Sequence, residues 1–372
     1  MKLFPSDQPL EREVTDGRFL QKLTSSHANQ AIKRGGVGWS DHGEIMNVTV
    51  VVCTYNRCQS LAQALGGIAS SIMPDSVAWE VLVVDNNSRD ETRSVVEQIS
   101  CRNPGRFRYI FEPRQGHSNA RNAGTRAARG QIVVFTDDDV TVDPLWLQNL
   151  TAPLLGGQWA GAGGRIVLEP NFRPPHWMAI KGPLSVAESL VQFDRGDQEK
   201  PLDRPPFGAN MAFQKTMFEK YGEFRTDLGR CRDGLIGMED TEFSERLLTA
   251  GERLFYVPSA VVVHPVPPNR TKKGYFRSYY FAHGRSVARQ AGHKLSIWRI
   301  PRYCVRVVRR KWRWISSMDM DRQWFLSAQG RFFCELQVLH ALGQIVEGCH
   351  SYYSPGTATG SQAAGPLEKT AG

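Results

Sequence analysis

Four short runs of β-branched and aromatic residues, each followed by a helical stretch, limit what this chain can become. MNVTVVVC from Met46, WEVLVVD (79–85), RFRYIFE (106–112) and IVVFTDDDV (132–140) read as buried strands, being short, apolar and continuous. Between them, Gln59 to Ser71 carries Leu61, Leu65 and Ile68 on one helical face, and a Ser88/Glu91 capping box opens a second helix to about Ser100. GHSNARNAGTRAARG (116–130) is a third helix, rich in small residues and closed by glycine. Strand–helix alternation at this spacing predicts an α/β fold, a Rossmann-like and mostly parallel sheet flanked by helices. The strands end on polar residues: Thr54 and Asn56, then Asp85, then Asp137, Asp138 and Asp139. In open α/β sheets that edge takes the ligand. Three adjacent carboxylates repel one another, so either they hold a hard cation such as Mg²⁺ or Mn²⁺, or they form an acidic surface turn. The absence of G-x-G-x-x-G disfavours ordinary dinucleotide binding.

Downstream, DPLWLQNLTAPLL reads as a helix with Asp143 at the N-cap and Pro144 at its first position. AGAGGRIVLEP is a strand, and residues 171–206, rich in Pro, Gly and charge, predict a mobile loop over a site. FGANMAFQK (207–215) is a strand, Asp240 to Ala250 a helix, and Arg253 to His264 one or two strands. From Lys272 the pattern turns helical and basic, with an amphipathic segment from Trp324 to Val346. The organisation expected is a loosely ordered leader at 1–43, an α/β domain at 44–270, a basic helical extension at 271–350 and a disordered tail at 351–372.

Composition narrows the class. With 372 residues, 41% of them hydrophobic, the chain can bury a large core. The net charge of +9 is uneven, since RIPRYCVRVVRRKWRW from Arg299 crowds cations among Trp and Tyr. Such a surface suits lipid headgroups or nucleic acid. Seven scattered cysteines show no zinc or disulfide pattern, no secretory signal opens the chain, and no run approaches the roughly 18 apolar residues of a membrane span. A reducing, cytoplasmic setting is expected, with peripheral attachment to the inner face of a membrane.

The motifs VVVCTYNR, LVVDNNSRD, GHSNARNAG, FTDDDV, FGANMAF and GMEDTEFSERL, in that order, resemble an inverting family 2 glycosyltransferase of GT-A fold over roughly residues 46–290. The resemblance implies transfer of a sugar from a nucleotide-sugar donor to a hydroxyl of a glycan or lipid-linked acceptor, with inversion. It implies that Asp139 ligates the metal and that Asp137 contacts the ribose or helps hold the metal, with Asp138 beside them and His264 as a further metal or diphosphate contact. Asp85 would recognise the base; a carboxylate can accept the imide N–H of uracil, which favours a UDP-sugar. Thr54, Asn56 and Arg57 would frame base or ribose, Arg121 and Asn122 the nucleotide, and Asn210 the sugar or acceptor. Asp240 would be the general base, with Glu239 in support. Each has a plainer reading: a helix cap for Asp85 and Asp240, a solvated face for Arg121, a proline-stiffened turn at His264. Arg165 and Glu169 have no role assigned. Two other classes compete. A nucleotidyltransferase would place a glycine-rich loop where TYNR stands. A non-catalytic nucleic-acid-binding protein would use the basic C-terminal region, which carries no recognised motif, so no nucleic acid is expected.

Overall fold

The computed structural model describes residues 48–231, 234–292, 300–317 and 327–353. The expected leader at 1–43 and all but the start of the tail at 351–372 lie outside the described residues. Strands β1 (Val48–Thr54), β2 (Trp79–Asp85), β3 (Phe107–Phe111) and β4 (Ile132–Asp137) are parallel, with β1 between β2 and β4. Every residue of β1 is buried, which needs cover on both faces and explains its unbroken apolar run. Helices α1 (Cys58–Ala69), α2 (Thr92–Arg102) and α3 (His117–Ala127) connect these strands.

Past β4 the sheet becomes mixed. β8 (Asn210–Gln214) lies antiparallel to β4, β6 (Gly161–Leu168) is antiparallel to β8, and β9 (Leu254–His264) is parallel to β6. Two-residue strands β5 (Thr141–Val142) and β7 (Lys200–Pro201) pair antiparallel with β9. The order is β3-β2-β1-β4-β8-β6-β9-β5, with β7 on β9 off that path. The carboxyl ends of β1, β4, β6 and β9 therefore share one edge with the start of β8. That edge holds the site.

Helices α4 (Trp146–Leu155), α5 (Lys215–Tyr221) and α6 (Glu239–Thr249) complete this unit. Phe135, Phe213, Phe218, Phe224 and Phe243 interlock beneath α6, with Phe218 and Phe243 stacked at 4.4 Å. Burial of five aromatic rings fixes where the first turn of α6 points.

Local expectations needed three corrections. The Ser88/Glu91 capping box does not form: Ser88 Oγ accepts from the Asn56 amide, and Asp90 receives the amide and hydroxyl of Thr92. Asp143 does not cap α4 directly, because its carboxylate takes the Leu145 amide in a turn and the helix starts at Trp146. The segment 171–206 is packed rather than free: Met178, Val186 and Leu190 bury against Phe276, Phe332 and Leu336 in a second apolar cluster.

That second cluster ties the last helices to the sheet unit. These are α7 (Lys273–Gln290), α8 (Ile300–Ser316) and α9 (Ala328–Tyr353). α7 and α9 cross through two glycines, since a Cβ at Gly284 would strike the His340 carbonyl and one at Gly343 the Phe281 carbonyl. Arg285 and Arg289 of α7 both pair with the buried Glu347 of α9.

Candidate active site

The parts of the site come from five chain segments that the shared edge brings together. They enclose a cavity of about 580 Å³ whose lining includes Thr54, Arg57, Arg121, Asp137, Asp138, Asp139, Glu239, Asp240 and His264. These nine were singled out in the sequence.

The three aspartates divide their directions. Asp138 turns away from the others, accepting from Thr54 Oγ1 at 2.7 Å and from Arg57 at 3.1 Å. Burial pushes its carboxyl up to about 6, against the pull of Arg57. Asp137, Asp139 and His264 instead converge, each offering one ligand atom within 4.8 Å of the others. Nδ1 of His264 lies 2.8 Å from the Pro265 carbonyl, which can only accept, so the proton is assigned to Nδ1. The lone pair of Nε2 then faces Asp139 at 3.7 Å and Asp137 at 3.9 Å. Oδ1 of Asp139 is buried with no hydrogen-bond partner. A buried carboxylate oxygen without a donor is costly, and a cation removes that cost. Two carboxylates and a neutral imidazole, its other nitrogen tied to a backbone carbonyl, fit a divalent metal such as Mn²⁺ or Mg²⁺.

A second centre stands at the start of α6. Glu239, 4% exposed, meets Arg121 Nη1 and His117 Nδ1, both at 2.9 Å. Burial alone would raise its carboxyl, but Arg121 and His117 outweigh that and hold it at about 2. Asp240 behaves oppositely: burial, then the charge of Glu239, raises its carboxyl above the ordinary aspartate range. Its oxygens accept from the Gly208 amide at 2.7 Å and the Thr241 amide at 2.8 Å. Gly208 belongs to FGAN, and its missing side chain matters here, since a Cβ would run into Arg121 and Asp240. The preceding residue of α6, Met238, is held at φ 82°, a costly conformation outside glycine, at the turn that presents the Glu–Asp pair. The two adjacent carboxylates carry opposite shifts, an environment that can set one apart as an anion and the other as a proton acceptor.

Several expected residues have other places. Asn122 faces Phe224, exchanging hydrogen bonds with its amide and carbonyl, and so anchors the aromatic cluster instead of a nucleotide. Asp85, 3% exposed, does not line the cavity; it accepts from the Ser88 amide and the Tyr109 hydroxyl, while Asn86 beside it does line the cavity. Asn56 takes the Arg89 amide at φ 52°, shaping the turn after β1. Arg121 is no solvated helix face: it is buried.

Asn210 is the clearest correction. It is fully buried, receives Trp146 Nε1, and donates to the carbonyls of Arg165 and Ala260. Those carbonyls flank the point where the β6–β9 register slips, Gly164 facing Val257 but Arg165 facing Val261. The bulge re-aims the end of β9, where His264 sits. Asn210→Ala should therefore leave three buried groups unpaired and lower stability by about 2–4 kcal/mol, read from the urea midpoint. If Asn210 held the sugar instead, donor affinity would fall with stability intact.

Sequence reasoning missed His117, Arg230 and Tyr279, which line the same cavity. Arg270 lines it too; that residue is 7% exposed, and its Nη1 is buried without a hydrogen-bond partner. Cations reaching a cavity from a loop and a short 3₁₀ turn (Pro268–Thr271) carry no local signature.

Residues 49–222 match the model of the family described as Glycosyl transferase family 2. Among curated relatives, succinoglycan biosynthesis protein ExoM of Rhizobium meliloti (strain 1021) is 28% identical over 264 residues, covering 69% of this chain and 80% of that one. Glycosyltransferase AglE of Haloferax volcanii is 26% identical over 221 residues, covering 59% and 67%. Among solved structures, a mannosyltransferase of Pyrobaculum calidifontis, in complex with GDP-Man and Mn²⁺, aligns over 91% of this chain and 85% of its own at 20% identity, with a TM-score of 0.48.

Proposed function

The chain belongs to glycosyl transferase family 2, and from that premise we propose that it moves a sugar from a nucleoside diphosphate donor onto an acceptor hydroxyl with inversion. The acceptor proposed is a growing glycan or a lipid-linked sugar, in keeping with a relative named for succinoglycan biosynthesis. The observation that carries the reading is the unpartnered Asp139 oxygen facing His264 Nε2 in a cavity that Asp240 also lines. Asp137, Asp139 and His264 would hold a divalent ion, which supplies positive charge to a diphosphate leaving group.

The chain's own residues do the rest. Arg270, with a buried donor to spare, binds diphosphate oxygen, and Arg57 spans Asp138 and Asp139 where the donor enters. Asp240 takes the proton of the attacking hydroxyl, its raised affinity for protons suiting it to that step. Glu239 stays ionised and holds Arg121 and His117 in place. Direct displacement by the hydroxyl that Asp240 deprotonates would invert the anomeric carbon. A uridine donor remains the base that the motifs imply, although both oxygens of Asp85 are engaged within the protein.

The test is nucleotide release from a panel of UDP-, GDP- and dTDP-sugars with Mn²⁺ or Mg²⁺. One donor base should stand out, chelation should stop release, and either ion should restore it. No release from any donor would count against transfer. Asp139→Ala should also lose nucleotide-dependent Mn²⁺ binding, measured calorimetrically without turnover; unchanged Mn²⁺ binding in that variant would contradict the role given to Asp139.

A further inference from the structure

Among the described residues, helix α8 packs on the protein by one face only. Tyr303 and Val307 bury against Ala341 and Ile345 of α9, and Arg310 and Lys311 bond Gln344 and Gln337. The opposite side carries Pro301, Val305, Val308 and Trp312, at intervals of four, three and four residues that keep them in one line. All are exposed, Val305 by 54%, Val308 by 55% and Trp312 by 70%. One position further along, Arg302, Arg306, Arg309 and Arg313 repeat the same spacing and are equally open. An apolar stripe thus runs beside a cationic one along the helix. The helix sequence, IPRYCVRVVRRKWRWIS, contains no acidic residue to neutralise either.

Among the described residues neither stripe packs against the fold, because the buried face lies elsewhere on the helix. Phosphate backbone binding would need the arginines but not three exposed apolar side chains in register with them. A helix lying in the plane of an anionic bilayer needs both: apolar groups at the headgroup–acyl boundary and cations on the lipid phosphates, with Trp at the interface. No described helix is long and apolar enough to cross a membrane, so attachment by this helix would be from one side. We infer that α8 docks the protein on an anionic bilayer through Val305, Val308 and Trp312, flanked by Arg302, Arg306, Arg309 and Arg313. The inference stands apart from the catalytic reading. It also has a consequence for it, since α9 links α8 to α7, whose Tyr279 and His283 line the cavity.

The test is sedimentation of the full chain with vesicles of phosphatidylcholine alone or mixed with phosphatidylglycerol. Binding should be at least about tenfold tighter to the anionic vesicles, the size expected from several arginines near a charged surface. Replacing Arg302, Arg306, Arg309 and Arg313 by Gln should abolish that preference. Val305→Ser, Val308→Ser and Trp312→Ser together should abolish the binding that survives high salt, with unchanged thermal unfolding because all three are exposed. Equal binding to both vesicle types would overturn the inference. So would an oligonucleotide complex in place of vesicle binding, or a dimer that the serine variant dissociates while vesicles are ignored.

Discussion

Asp240→Asn should lower turnover by roughly 10²- to 10⁴-fold, the usual contribution of a positioned base, with donor affinity little changed. Its carboxylate is not among the three groups that converge as metal ligands, so its loss removes proton acceptance without removing a group proposed to hold the metal. Both of its oxygens accept backbone amides, and an asparagine must turn one NH₂ toward an N–H. Thermal unfolding measured alongside separates a lost base from a loosened turn. Donor binding by the variant should persist in a nucleotide competition experiment; if it disappears with turnover, Asp240 is a binding group instead. The pH profile gives an independent reading. A base works ionised, and burial with the Glu239 charge raises Asp240, so kcat/KM should fall on the acid side at a pH above the ordinary aspartate range. Glu239→Gln removes the neighbouring charge and should move that acid limb to lower pH.

The distribution of legible and illegible features follows from what is local. The aspartate-tipped strand, the ED pair and the helix after β3 were readable because each combines a short element with its chemistry in consecutive residues. The resemblance set Asp138 beside the metal ligands, but no local feature of the triplet tells it from Asp139. One turns to Thr54 and Arg57 and the other keeps an oxygen free, which depends on β1 lying beside β4. Asn210 misled for a related reason. An amide beside a glycine in a site-like motif reads as a ligand contact, but its partners are the carbonyls of a bulge between strands far away in sequence. Asn122 repeats the pattern with Phe224. The mixed half of the sheet was hidden because FGANMAFQK reads the same in either direction, and only the path of the preceding segment decides which way it enters. The uneven distribution of charge did show the region of α8 to be basic. Which of its faces is unpartnered required α9 to be in place.

Arg121→Met should be the most destabilising single change at the site, by about 3–5 kcal/mol, because it strands a buried charge. Arg121 is 3% exposed and lies near the rings of Phe135 and Phe224, while Glu239 opposite is 4% exposed. With the guanidinium gone, burial would act on Glu239 with only His117 and a backbone hydrogen bond to oppose it, and its carboxyl should climb from about 2. The sign for stability follows. A carboxyl held below its unfolded value adds stability that is complete above the unfolded value and fades as pH falls toward 2. The native chain should therefore lose stability on acidification through that window, and Arg121→Met should show a much flatter loss, having little of this contribution left. Arg121→Met combined with Glu239→Gln should recover most of the stability, since neither charge is then left alone. Urea midpoints of the two single variants and the double variant at neutral pH decide it. Additive losses would mean that the pair does not interact, and the separation of roles between Glu239 and Asp240 would lose its physical basis. Recovery of stability without recovery of turnover is the outcome expected. Gly208 and Asp240 close around the space that the Arg121 side chain fills, and methionine provides the volume without the charge.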